Sequence, residues 1–145
     1  MNQLLSNTED SDLLQKAWDM DQKALFSKNK KEQEKLWGDS LSICKKLFQM
    51  YKTKTPDNLQ ILSKIALIYL HQKKFDSSKR YMDIANTISK NNPVTLFNYG
   101  NLYRAMEKPL TAIKYYEKAI KHSEVPIFKE ELEKYRKLLK ENDIK

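Results

Sequence analysis

The chain has 145 residues and a formal net charge of +8, and 40% of its residues are hydrophobic and 32% charged. A single cysteine excludes a disulfide framework or a cysteine-based zinc site within one chain, and no apolar run approaches the roughly 20 residues of a membrane span. Two glycines and four prolines are few helix breakers, so the composition predicts an all-α fold in one domain. Residues 1–14 carry acidic but no basic side chains, unlike a secretory or mitochondrial presequence, so we expect a cytoplasmic protein.

The excess positive charge lies in the middle of the chain. Residues 51–120 hold 12 basic and 5 acidic side chains, and lysines outnumber arginines by 24 to 3 in the whole chain. Three interpretations stay open: a solvated helical surface, a surface for an acidic protein partner, or a nucleic-acid surface. Because arginine is the residue that binds phosphates and base edges in a bidentate manner, the predominance of lysine makes nucleic acid the least expected partner.

The first predicted element is a lengthened helix pair over residues 12–51. A helical stripe begins near Ser11 and is apolar except for one carboxylate; it comprises Leu14, Ala17, Trp18, Asp21, Ala24 and Leu25. Residues 28–35 form a charge run, either a connection or an exposed helical turn. The next helix carries a second stripe, in which Ser40, Cys44 and Leu47 fit the spacing of the later helices only loosely. We expect a degenerate first repeat here.

Five further helices are predicted from their start signals. Thr55-Pro56-Asp57 predicts an N-cap followed by a helix to about His71, and Asn92-Pro93 predicts another start of the same kind. Asp76 or Ser77 is expected to cap the helix that ends near Lys90. The other starts lie at Pro109 and Val125-Pro126. In the last helix, one face is apolar and the other carries lysine and glutamate; the apolar residues are Phe128, Leu132, Tyr135 and Leu139.

Two segments repeat at a fixed offset of 34 residues without a gap. The matched pairs are Leu62 with Leu96, Ala66 with Gly100, Tyr69 with Tyr103, Ser78 with Ala112, Met82 with Tyr116, and Ala85 with Ala119. Such a period is the signature of stacked helix pairs. The small residues of this pattern belong where two antiparallel helices cross closely, because a larger side chain there would push the helices apart.

This pattern, strongest between Leu96 and Ala119, resembles the tetratricopeptide repeat. The resemblance implies a right-handed superhelical array of antiparallel helix pairs, with about three repeats and a C-terminal capping helix. The expected divisions within one domain of residues 1–145 are a degenerate repeat at 12–51, repeats at 56–90 and 93–123, and a cap at 126–141.

No group of residues predicts catalysis, a metal site or a cofactor. Cys44 lies on an apolar stripe, which favours a buried structural thiol over a nucleophile. His71 and His122 each precede a predicted helix end, where an imidazole can interact with the last carbonyls. Neither glycine lies in a phosphate-binding loop. We therefore expect a protein that is not an enzyme.

The resemblance implies a concave groove lined by the first helix of each repeat. The expected groove residues are Ser63, Leu67, Leu70 and His71, then Phe97, Asn98, Asn101 and Arg104, then Lys129 and Arg136. The alternative for Leu67, Leu70 and Phe97 is packing between neighbouring repeats. Asn98 also matches one of the five positions of the carboxylate clamp by which some members of the family bind chaperone tails, and one match predicts that the clamp is absent.

These observations predict a non-enzymatic module that binds a peptide or helical segment of a partner protein, with an acidic segment as one expectation. A small secretion-type chaperone with an exported client is one alternative, since such chaperones have three repeats of this kind and a similar size. A lysine-rich nucleic-acid-associated protein is a second. Self-association through Trp18 or Trp37 is a third, because a large aromatic side chain in an atypical terminal repeat is a candidate for exposure.

Overall fold

A computed structural model describes residues 8–52 and 57–143, and over these residues the chain forms helices and no strand. The seven helices are α1 (Thr8–Phe26), α2 (Lys30–Tyr51), α3 (Asp57–His71), α4 (Phe75–Ile88), α5 (Pro93–Ala105), α6 (Pro109–His122) and α7 (Pro126–Asp143). The predicted all-α fold with seven helices is therefore confirmed. Helices α1 to α4 form one compact body and α5 to α7 a second, divided between Ile88 and Ser89. We call them the N-terminal and C-terminal bodies and describe each by itself.

The helix pairs of the N-terminal body cross at small residues, as the sequence predicts. In the α3–α4 pair, the buried Ser78 hydroxyl donates a hydrogen bond of 2.7 Å to the carbonyl oxygen of Ala66. In the α1–α2 pair, the Ser40 hydroxyl donates one of 2.6 Å to the carbonyl oxygen of Ala17. A hydroxyl this close to a neighbouring backbone requires that no larger side chain separates the helices. The lengthened first pair thus keeps the crossing of the pair that follows it.

Most helix ends follow the predicted signals. The Asn92 side chain accepts hydrogen bonds from the amides of Val94 and Thr95 at the start of α5, as expected for an N-cap followed by proline. Helices α6 and α7 begin at Pro109 and Pro126. The charge run is mostly the exposed start of α2, whose N-cap is Asn29. Thr55 and Pro56 lie outside the described residues.

The predicted start and end of α4 differ from the observed ones by two or three residues. The helix begins at Phe75 because the amide of Ser78 already donates a helical hydrogen bond to the carbonyl of Lys74. Lys74 therefore occupies the N-cap position, and Asp76 lies inside the first turn, where its charge still favours the helix dipole. The helix ends at Ile88 rather than Lys90.

The C-terminal body is built around Tyr116, which has no exposed surface. Gly100 of α5 lies directly against this ring: a Cβ atom at Gly100 would be 2.5 Å from two ring carbons of Tyr116. Helix α7 buries Phe128, Leu132 and Tyr135 against α5 and α6, as its sequence pattern predicts. The bare backbone at Gly100 is what allows a large aromatic side chain to fill the crossing.

Candidate protein-binding surfaces

Four expected groove residues lie on α3, in the N-terminal body. Ser63, Leu67, Leu70 and His71 are each half-buried. Leu67 and Leu70 therefore keep part of their apolar surface accessible, but neither is prominently exposed. His71 has a specific side-chain partner on another helix.

That partner of His71 is a buried carboxylate. Nδ1 of His71 lies 2.9 Å from both carboxylate oxygens of Asp21, which has no exposed surface. The indole N–H of Trp37 donates a hydrogen bond of 2.9 Å to the same carboxylate. The expectation that His71 interacts with the carbonyls at its helix end is therefore wrong, because the ring is bonded to Asp21 on α1 instead. A buried carboxylate needs such partners, since desolvation otherwise disfavours its charge.

The expectation of an exposed tryptophan is wrong for Trp37, which is buried beside Asp21. Trp18 is half-buried, and the ammonium of Lys64 lies 3.4 Å from the centre of its ring. Burial lowers the pKa of Lys64, because its ammonium loses hydration. Neither side chain offers the open aromatic surface that the expected self-association would require.

Cys44 is fully buried, in agreement with a structural thiol. Burial raises the pKa of its thiol to about 12, because a thiolate would lose its hydration. The side chain is therefore protonated and unreactive at neutral pH.

Expected groove residues on α5 are packed within the C-terminal body. The ring of Phe97 stacks on Phe128 at 4.6 Å and lies 5.2 Å from Tyr116. Asn98 is buried, and Asn101 accepts a hydrogen bond from the Tyr116 hydroxyl at 2.5 Å. The packing alternative thus describes Phe97 better than an open groove position does.

Arg104 combines internal contacts with access to solvent. Its guanidinium carbon lies 4.5 Å from the ring centre of Tyr135, and its Nη1 lies 3.6 Å from a carboxylate oxygen of Glu131. The side chain keeps 30% of its surface exposed. Burial raises the pKa of the neighbouring Tyr116 hydroxyl, while the guanidinium opposes that shift. Arg104 is therefore oriented by α7 but remains reachable from outside.

Lys129 and Arg136 of α7 line a common cleft of about 340 Å³. Its other walls are Glu117 and Ile120 of α6 and Leu132 and Glu133 of α7, so two carboxylates lie beside the two basic groups. Nη2 of Arg136 lies 2.7 Å from a carboxylate oxygen of Glu117, and about half of each side chain is exposed. The structure thus brings together two of the expected basic residues beside an apolar floor.

Among residues 8–52 and 57–143, no three histidine, cysteine, aspartate or glutamate side chains are grouped as metal ligands. None of the helices in this part of the chain is both long enough and apolar enough to span a membrane.

Pairs of helices that cross at small residues form both bodies, which is the construction of a helical-repeat protein. A family model for the tetratricopeptide repeat matches residues 94–124, that is, α5 and α6. The chain is also similar to the crystal structure of the P58(IPK) TPR domain, with 18% sequence identity and a TM-score of 0.58. That match covers 93% of this chain and 36% of the other, so this chain spans about a third of its length. No curated protein matches. These findings confirm the resemblance: residues 94–124 match the tetratricopeptide repeat, and the chain has the fold of a domain built from such repeats.

Proposed function

We propose that the chain is a non-enzymatic module that binds an acidic peptide or helical segment of a partner protein. Tetratricopeptide repeats generally mediate protein–protein interaction, and the matched repeat at residues 94–124 is the observation that carries the proposal. The basic side chains Arg104, Lys129 and Arg136 would bind the carboxylates of the partner.

The ion pairs of the C-terminal body support this assignment. Arg104 forms an ion pair with Glu131, and Arg136 a hydrogen-bonded ion pair with Glu117, and all four side chains are at least 30% exposed. An exposed ion pair contributes only about 0–1 kcal/mol, because water solvates both charges well. A carboxylate of a partner can therefore replace the internal one at little cost. Such an exchange requires no rearrangement of the helices.

Selection from a phage-displayed peptide library against the whole chain, followed by calorimetric titration of the selected peptides, tests the proposal. Lys129→Gln with Arg136→Gln should weaken binding of an acidic peptide by about tenfold, or about 1.4 kcal/mol, with an unchanged melting temperature. Arg80→Gln is the matched control, because Arg80 is exposed on α4 and lines neither the cleft nor the expected groove. Equal affinities of the parent chain, the double variant and Arg80→Gln for the acidic peptide would contradict the proposed surface.

Titration of the chain with a labelled nucleic-acid strand at several salt concentrations separates this function from a nucleic-acid function. Binding of a labelled single strand that weakens steeply with salt, in the absence of any peptide binder, would favour counterion release from a phosphate backbone. Selection of acidic peptides with moderate salt dependence would support the protein partner.

A further inference from the structure

The turn between α1 and α2 presents apolar side chains to solvent. Phe26, the last residue of α1, keeps 81% of its surface exposed, the largest fraction among the described large hydrophobic side chains. Leu25 beside it is 38% exposed. A single exposed apolar residue is common on protein surfaces and needs no explanation. The inference therefore depends on what holds these two residues and on what surrounds them.

Hydrogen bonds fix the conformation of this turn. The amide of Ser27 donates to the carbonyl oxygen of Ala24 at 3.2 Å, and the side-chain amide of Gln33 donates to the same oxygen at 2.9 Å. The Asn29 side chain accepts a hydrogen bond of 3.1 Å from the amide of Glu32 and so caps α2. Phe26 is thus exposed on an ordered turn that joins two helices.

Lysines surround this turn. Four exposed ones flank it in the sequence, and the α3–α4 turn adds two more; the six are Lys23, Lys28, Lys30, Lys31, Lys73 and Lys74. Lys74 lines a cleft together with Glu34 and Trp37 of α2, which places the two turns at the same end of the N-terminal body. We call this the basic end. Its six lysines exceed its three exposed carboxylates, which are Glu32, Glu34 and Asp76.

The fold does not account for these positive charges. Lys30 and Lys31 lie in the first turn of α2, where the helix dipole disfavours a cation. Within residues 8–52 and 57–143, none of the six lysines of the basic end forms an ion pair. Their ammonium groups are therefore available to anions outside the chain.

We propose that the basic end binds the surface of a lipid bilayer that contains anionic phospholipids. Phe26 and Leu25 enter the boundary between the headgroups and the acyl chains, and the lysines lie among the anionic headgroups. Binding of this kind generally combines an apolar anchor with a basic patch, and the basic end has both.

A bilayer fits this surface better than a folded partner does. A protruding aromatic side chain needs a shaped pocket in a protein, whereas the boundary of a bilayer accepts it without one. Lysine is a flexible point charge that suits the diffuse charge of a membrane, while arginine suits the fixed geometry of a single carboxylate or phosphate. The basic end contains lysines and no arginine among its described residues.

The test is flotation of the whole chain with vesicles of phosphatidylcholine that contain about 30% phosphatidylserine. The chain should float with these vesicles and should not float with vesicles of phosphatidylcholine alone, because the lysines then have no net charge to bind. Absence of binding to the anionic vesicles would overturn the proposal.

Variants of exposed residues locate the surface without affecting the fold. Phe26→Ser should lower the partition coefficient at least about tenfold, because its apolar surface no longer leaves water. Leu110→Ser is the matched control, since Leu110 is 79% exposed on α6 of the C-terminal body, and it should have no effect. Equal partition of Phe26→Ser and the parent chain would overturn the role of the apolar anchor.

A charge-matched pair of triple variants tests the lysines. Each lysine at an anionic surface changes binding about fivefold, so replacement of three by glutamine should lower partition about a hundredfold; the three are Lys28, Lys30 and Lys31. The control replaces three exposed lysines of α6 and α7 in the same way, and they are Lys121, Lys137 and Lys140. Equal losses in the two triple variants would mean attraction by net charge alone and would overturn the assigned surface.

Two further measurements separate insertion from other contacts. The added indole of Phe26→Trp should be quenched by vesicles with brominated acyl chains, and an unquenched indole would overturn insertion. Sedimentation equilibrium without lipid should show no association that depends on Phe26. A dimer of the parent chain that Phe26→Ser dissociates would make the turn an interface between copies and would overturn the proposal.

This inference and the proposed function fail independently. The vesicles contain no peptide, and Lys129→Gln with Arg136→Gln should leave vesicle binding unchanged because both residues belong to the C-terminal body. Phe26→Ser should likewise leave the affinity for the acidic peptide unchanged. Loss of vesicle binding in the double variant would contradict a separate surface.

Discussion

Replacing Gly100 by alanine should destabilise the C-terminal body through one side chain, Tyr116. The new Cβ atom would lie 2.5 Å from two ring carbons, whereas carbon atoms pack favourably at about 3.5–4.0 Å. The ring must therefore move by about 1 Å. It has little freedom to do so, because it is fully buried, bonded to Asn101 and in contact with Phe97 and Tyr135.

The magnitude follows from two opposing effects. Overpacking of a tight core costs about 1–3 kcal/mol. Alanine is also about 1 kcal/mol more favourable than glycine in a helix interior, which partly offsets that loss at Gly100. Gly38→Ala is the matched control, because alanine there has the same helical gain. Its Cβ atom would lie within 4 Å of no described atom outside its own turn of helix. The difference between the two variants should therefore equal the overpacking cost, about 1–3 kcal/mol.

Urea denaturation followed by circular dichroism gives the free energy of unfolding of both variants and of the parent chain. Gly38→Ala should be more stable than the parent chain. Gly100→Ala should be less stable than Gly38→Ala by about 1–3 kcal/mol. A Tyr116→Leu substitution in the Gly100→Ala background should reduce the loss attributed to alanine, since the ring atoms that clash are removed. Equal stabilities of the two alanine variants would refute the packing argument.

Three further predictions concern buried groups and the last helix. Asp21→Ala should cost about 3 kcal/mol of unfolding free energy, because Trp37 and His71 lose their acceptor, and a loss below about 1 kcal/mol in urea denaturation would contradict this. The native Cys44 thiol should resist iodoacetamide at pH 7. Because its pKa is about 12 when folded and 9.0 in the reference state, the unfolded chain ionises first, so this thiol should lower stability as pH rises from 9 towards 12, and the loss should be smaller in Cys44→Ser. A chain ending at Ser123 should aggregate or lose cooperative melting, because Leu132 and Tyr135 no longer cover Tyr116; an unchanged melting temperature would contradict that role.

The sequence predicted the fold well where one geometric requirement recurs. Each helix crossing needs small residues, so Ala66, Ser78, Gly100 and Ala112 repeat at a fixed offset and reveal the pairs. The first pair keeps the same internal spacing, with Ser40, Cys44 and Leu47 matching Ser78, Met82 and Ala85. The match is loose in side-chain size instead, because the small Cys44 stands at the position of Met82 and the bulky Leu47 at that of Ala85.

The candidate sites were less predictable because they depend on contacts between distant segments. Asp21 and His71 are 50 residues apart, and no local spacing joins them. The one signal was a carboxylate on an otherwise apolar stripe, which requires a buried partner without naming it. Likewise, the cleft lined by Lys129 and Arg136 arises from the placement of α7 beside α6, which no local spacing in α7 indicates.

The division of the chain into two bodies has a spectroscopic consequence. Both tryptophans, Trp18 and Trp37, lie in the N-terminal body, whereas residues 89–145 contain five of the eight tyrosines and no tryptophan. Indole fluorescence therefore monitors the N-terminal body alone, and far-ultraviolet circular dichroism monitors the helices of both. Coincident transitions would mean that the two bodies unfold as one cooperative system, and separated transitions would measure the stability of each without cutting the chain.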